Sequence, residues 1–153
     1  MANAPPRHRQ PAPRLRGWDY RSPVPYFVTM VTAERRRILS RIDAGMVTLS
    51  PIGRVVERCW LAIAAHLPGV GLGRFVVMPD HMHGILALPR AGRSLSHVVR
   101  DFKAGVTREV RREGIEFEGK LWQRSFYDRI IRDPRAWWYV DRYIALNPSR
   151  WVD

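Results

Sequence analysis

The stretch from Val70 to Leu88 does most to limit what this chain can fold into. It carries one basic residue, Arg74, and one acid, Asp80, and reads as two β segments, Leu72–Met78 and Met82–Leu88, broken around Pro79-Asp80. Parallel neighbours need a crossover of a dozen or more residues, which this break does not supply. Upstream, Tyr26-Phe-Val-Thr-Met-Val-Thr32 is rich in β-branched and aromatic residues and reads as a first strand. Glu34-Arg-Arg-Arg37 follows as a polar connection.

Two helical patterns flank the paired segments. Ser50 is placed as an N-cap with Pro51 at the first helical position, and Ile52, Val55, Val56, Cys59, Trp60 and Ile63 recur as one apolar stripe. Pro68-Gly69 stops that helix. A second runs from about Ser94 to Arg112, with Leu95, Val98, Val99, Phe102, Val106 and Val110 as its buried face. Lys120–Arg132 reads as extended and aromatic, and Asp133-Pro134 opens a last helix that ends at Asn147-Pro148. The order β, α, β, β, α, β, α leaves too few residues for a doubly wound parallel sheet. The economical solution is an α+β fold: one mostly antiparallel sheet with the helices on one face.

The chain of 153 residues carries 26 Lys+Arg against 14 Asp+Glu, a formal charge of +12. Only Lys103 and Lys120 are lysines. Arginine grips phosphate oxygens in pairs and stacks on bases, so a polyanion, most simply nucleic acid, is the expected partner. Residues 1–25 hold six prolines and read as an Arg/Pro-rich extended arm, leaving 26–153 as a single domain. No run reaches the roughly 18 apolar residues of a membrane span, and the N-terminal residues show no secretory pattern. A single cysteine, Cys59, lies on the apolar stripe, which fits core packing and a reducing cytoplasm.

The chemistry concentrates at Pro79-Asp-His-Met-His83. On a strand, His81 and His83 project to one face while Met82 faces the other, giving a pair of imidazole ligands for a metal. On the last helix Tyr139, Tyr143 and Asn147 stand at i, i+4 and i+8 and form a polar stripe, with Val140 and Ile144 on the neighbouring, sheet-packing face. Two histidines, a carboxamide and a phenol suit phosphodiester cleavage by tyrosine. A divalent cation held by His81, His83 and Asn147 would polarise a non-bridging phosphate oxygen. It would also ease attack by a phenol whose ordinary pKa is about 10.

The blocks Tyr26-Phe-Val-Thr-Met-Val-Thr, Val77-Met-Pro-Asp-His-Met-His-Gly, Leu121-Trp-Gln-Arg-Ser-Phe-Tyr-Asp and Asp141-Arg-Tyr-Ile-Ala-Leu-Asn-Pro148 occur in the order and spacing of a known family. The chain resembles the HUH-type single-tyrosine transposases, and most closely their REP-associated tyrosine transposase branch. The resemblance implies a ferredoxin-like sheet with the histidines on a central strand. It implies Mg²⁺ or Mn²⁺ bound by His81 and His83, with Asn147 completing the metal shell and Tyr143 as nucleophile. It also implies single-stranded DNA with hairpins as substrate, cut near the hairpin foot.

Tyr127 is the rival nucleophile, on what reads as a strand. Arg100, Lys103 and Arg108 on the second helix, with Arg124 and Trp122 in the aromatic block, are the expected DNA contacts, and Trp122 and Phe126 are candidates for base stacking. A non-catalytic hairpin-binding module is the main alternative, and a metal-dependent phosphoester hydrolase a third. Either a monomer or a homodimer is compatible with the chain.

Overall fold

The computed structural model describes residues 15–90 and 92–153. Four strands form the main sheet among these residues: β1 (Pro25–Val31), β4 (Gly71–Val77), β5 (His81–Ala87) and β6 (Tyr127–Ile130), in the order β4-β5-β1-β6 with every pair antiparallel. Helix α1 (Pro51–His66) links β1 to β4, α2 (Leu95–Arg112) links β5 to β6, and α3 (Pro134–Leu146) follows β6. With β1, β4, β5 and β6 taken as successive strands, this is the ferredoxin-like order expected above.

Two faces of the sheet are covered, by different helices. Along β1, Tyr26, Val28 and Met30 point to one side, and along β5 Met82 and Leu86 do the same, where they meet Val55, Val56 and Trp60 of α1 and the six predicted apolar residues of α2 in one core. Gly84 belongs to this face because a Cβ there would stand 2.5 Å from the Trp60 ring. On the opposite face, Phe27, Val76 and Ile85 pack against Val140 and Ile144 of α3. Helices α1 and α2 thus share one face as expected, whereas α3 lies on the other. The stripe of α3 shows that one side of it is buried and carries no sign of which sheet face it covers. A signal was present in β5 itself. Ile85-Leu86-Ala87 is apolar without alternation, which a strand buried on both faces requires.

Local chemistry explains most boundaries. The Ser50 hydroxyl accepts from the Gly53 N–H at 3.0 Å and caps α1, and the Asp133 carboxylate accepts from the Ala136 N–H at 2.7 Å and caps α3. Both are followed by proline at the first helical position. One element was missed: the hairpin β2 (Ser40–Asp43) and β3 (Met46–Leu49). Its two-residue loop has positive φ at both Ala44 and Gly45, as a hairpin turn of this length prefers. Alanine in place of the usual Asn or Asp hides it. The segment expected to be extended over Lys120–Arg132 forms a strand only at β6, with one isolated bridge from Trp122 to Thr32.

Of the proline-rich arm, residues 1–14 lie outside the described residues. The part that follows docks on the domain instead of standing free. The Trp18 indole donates to the Tyr26 hydroxyl at 3.0 Å, Tyr20 stacks on Tyr26, and the Leu95 N–H donates to the Tyr20 carbonyl at 2.9 Å.

Candidate active site

The register of the sheet puts the two histidines opposite chosen neighbours. His83 pairs with Thr29 of β1 and with Val76 of β4, and Thr29 pairs in turn with Tyr127 of β6, so one cross-strand row runs Val76–His83–Thr29–Tyr127 on the α3 face. His81 and His83 project from β5 on that same face, their ring centroids 4.6 Å apart. They are 0% and 2% exposed.

Each imidazole is held from behind through Nδ1. His81 Nδ1 is 2.7 Å from the Asp80 carboxylate, which itself pairs with Arg35 at 3.4 Å. His83 Nδ1 is 2.7 Å from the Thr29 hydroxyl oxygen. With Asp80 accepting, His81 carries its proton on Nδ1 and presents a lone pair on Nε2. The same tautomer follows at His83 when Thr29 accepts. Both Nε2 atoms are buried without a formed hydrogen bond. Burial pushes the pKa of His81 down, against the raising effect of Asp80, and pushes that of His83 down further, with the His81 charge adding to it. Both rings are therefore neutral at neutral pH, the state in which imidazole binds metal. Burial would raise the Asp80 carboxyl, but the hydrogen bond and charge of His81 and the charge of Arg35 outweigh it and hold Asp80 below the usual range.

Helix α3 brings the other two residues to the pair. Asn147 ends the helix fully buried, its side-chain amide donating to the Tyr143 carbonyl at 3.4 Å, and its carboxamide lies against His81 and favours the protonated ring. One turn earlier, the Tyr143 ring meets His83 edge-on at 5.5 Å and Phe27 at 5.9 Å. Phe27 in turn stacks on His83 at 5.1 Å. The four residues singled out by the sequence, His81, His83, Tyr143 and Asn147, thus converge across the sheet–helix interface. Two orphaned Nε2 atoms beside a carboxamide are a donor set that fits a divalent cation. Among the described residues no group of three or more His, Cys, Asp and Glu side chains is placed to hold a metal, so such an ion would depend on this mixed set.

A cleft of about 870 Å³ opens beside the pair, between α3 and the β1–β6 edge. Phe27, Thr29 and His83 line its sheet side, and Tyr139 and Tyr143 its helix side. Tyr127 lines it too, from β6. The Tyr143 ring is in direct contact with His83.

The expected DNA contacts fall elsewhere. The Lys103 ammonium is largely buried and donates to the carbonyls of Gln123 and Ser125 at 2.9 and 2.7 Å, so it staples α2 to the segment before β6 and presents no free cation. Burial pushes its pKa down to about 8. Trp122 is buried in the core against Phe102, and Phe126 is buried with it, so neither ring is available to stack on a base. Arg100 and Arg108 are exposed on α2, on the sheet face away from the histidines, and Arg124 is exposed before β6. The arginines at the cleft are Arg129, Arg142 and Arg150, which the sequence reading did not single out. Arg142, one residue before Tyr143, was legible from its place in the Tyr–Asn block.

Comparison with solved structures gives the fold, that of the HUH-type single-tyrosine transposases. A REP-associated tyrosine transposase solved with a REP hairpin matches 85% of this chain and 70% of its own at a TM-score of 0.64 and 22% identity. A putative transposase from Deinococcus radiodurans matches 88% and 97% at a TM-score of 0.57 and 18% identity. The model of the family described as "Transposase IS200 like" matches residues 24–147, and the chain belongs to that family of DNA transposases. An uncharacterized protein of Haemophilus influenzae is 33% identical over 94% of this chain and 91% of its own length. The REP-associated tyrosine transposase of Escherichia coli is 30% identical over 53% of this chain, a match spanning 47% of that protein. The branch resemblance drawn from the motifs is thereby borne out. No helix among the described residues is long and apolar enough to cross a membrane.

Proposed function

We propose that the protein is a metal-dependent single-strand DNA transesterase that cleaves and rejoins DNA at hairpin-forming repeats through Tyr143. The observation that carries this reading is the approach of the Tyr143 ring to the buried, neutral His81–His83 pair whose Nε2 atoms lack partners. His81, His83 and Asn147 would hold Mg²⁺ or Mn²⁺, which when bound draws charge from the phosphate. Two imidazole nitrogens favour Mn²⁺ over the harder Mg²⁺.

The Tyr143 oxygen attacks phosphorus, the bond to the 3′ oxygen breaks, and the phenol's proton is made good on the departing 3′ hydroxyl. The product is a 5′-phosphotyrosine. The ester bond is conserved, so rejoining needs no nucleotide hydrolysis: a 3′ hydroxyl attacks the phosphotyrosine and returns the phenol. Asp80, and Thr29 when its hydroxyl accepts from His83 Nδ1, hold the rings in the tautomer that leaves Nε2 free. Phe27, stacked on His83 and edge-on to Tyr143, fixes the angle between them. Hairpin DNA as the substrate is supported by the likeness to a REP-associated transposase solved with a REP hairpin.

The test is incubation of a labelled hairpin oligonucleotide with Mn²⁺, with and without chelator. The expected result is a covalent protein–DNA adduct that forms only with metal. Hairpin binding that ignores the chelator and yields no adduct would favour the binding-module reading instead.

A further inference from the structure

The cleft carries a feature that the chemistry at Tyr143 does not use. Trp138 and Tyr139 are 54% and 58% exposed, large exposures for rings on a helix that buries its other side against the sheet. Their rings meet edge-on at 5.3 Å, and the Arg142 guanidinium lies over the Trp138 ring at 5.3 Å, so the surface is ordered by its own contacts. All three residues line the same cleft as His83 and Tyr143. Trp138 and Tyr139 stand four to five residues before Tyr143, about 6–8 Å along the helix axis. Arg129 and Arg150 stand on the same walls against a single acid, Asp128, and none of the three arginines forms an ion pair among the described residues.

The geometry points to Trp138, Tyr139 and Arg142 as a stacking ledge for unpaired bases of the DNA strand beside the phosphate that Tyr143 attacks. This rests on the proposed function for the identity of the strand. The charge of the walls selects a polyanion, and the exposed aromatic faces select bases that are not already stacked in a duplex, because only those offer a free face. A guanidinium over an indole extends the ledge with a second planar surface while its charge meets phosphate. The ledge therefore makes the protein discriminate in favour of hairpins that carry a single-stranded flank.

The test uses the full chain as the Tyr143→Phe variant, so that no cleavage intervenes, with two probes: a DNA hairpin bearing an unpaired flank that contains 2-aminopurine, and the same hairpin without the flank. The expected result is quenching of 2-aminopurine at a defined flank position. Trp138→Ala should remove that quenching and weaken binding of the flanked hairpin about tenfold, with the flankless hairpin unaffected. Trp138→Phe should retain most of both signals, and Arg142→Lys should lose affinity while keeping the salt dependence. Equal binding of flanked hairpin by the parent and Trp138→Ala overturns the ledge, as does an equal loss for both probes. Sedimentation showing a dimer that Trp138→Ala splits, with DNA binding per protomer unchanged, also overturns it and assigns the surface to a second copy of the chain. The two proposals separate cleanly. Flank-specific loss on adding Trp138→Ala, with no adduct from the protein that retains Tyr143, keeps the ledge and removes the transesterase, and the reverse pattern does the opposite.

Discussion

The hydrogen bond between Thr29 and His83 shows how closely single residues hold the site. Thr29→Val keeps the shape of the side chain but leaves a buried ring nitrogen unpaired, at a cost of about 1–3 kcal/mol in stability. Chemical denaturation would read it, and the same variant should weaken Mn²⁺ binding by releasing the tautomer. Metal binding has its own readout in thermal unfolding, because a ligand of the native state alone raises Tm with its concentration. Mn²⁺ should raise the Tm of the parent protein and leave that of His83→Ala unmoved. The pH dependence follows from the burial of the pair. An unfolded histidine takes up a proton below about pH 6.5, whereas His83 and His81 in the fold are held neutral to lower pH. The unfolded state then binds more protons, so stability is full above that pH and falls as the solution is acidified. Tm measured from pH 7.5 to 5.5 should drop, and the drop should shrink in His83→Asn.

Helices and strands divide into those whose sequence states their place and those whose place is decided by tertiary partners. The six apolar residues of α2, the Ser50 cap and the His-x-His alternation were readable because each follows from a period or a cap. The side of the sheet taken by α3 was not, since an amphipathic stripe marks a buried face without naming what covers it. Lys103 was misread for a related reason: a cation on a helix is assumed to be solvated, and nothing local shows that the chain returns to offer two carbonyls at Gln123 and Ser125. This makes a prediction for α2 as an element. Lys103→Met should cost about 1–3 kcal/mol through the two carbonyls left without a donor. The number of phosphates contacted, read from the salt dependence of DNA binding, should stay the same. The β2–β3 hairpin escaped notice because Ala44 occupies a positive-φ position usually given to Asn, Asp or Gly.

At the scale of the whole molecule, arginines among the described residues stand on both sides of a sheet that has the candidate site on one. Arg100 and Arg108 stand behind the sheet, and Arg129, Arg142 and Arg150 around the cleft. Replacing a cleft arginine by Gln should therefore reduce the salt slope for single-stranded DNA by about 0.7 each, and replacing Arg100 or Arg108 should leave it unchanged in titrations with a short flanked hairpin. The +12 points to a polyanion as partner, and the proposed reaction rests on the four converging side chains. Peptide mapping by mass spectrometry of the adduct formed with a hairpin oligonucleotide and Mn²⁺ tests that claim most directly. A nucleotide linked through its 5′ phosphate to Tyr143 is expected, with no adduct from Tyr143→Phe. A nucleotide on Tyr127, or an adduct that survives in Tyr143→Phe, would contradict it.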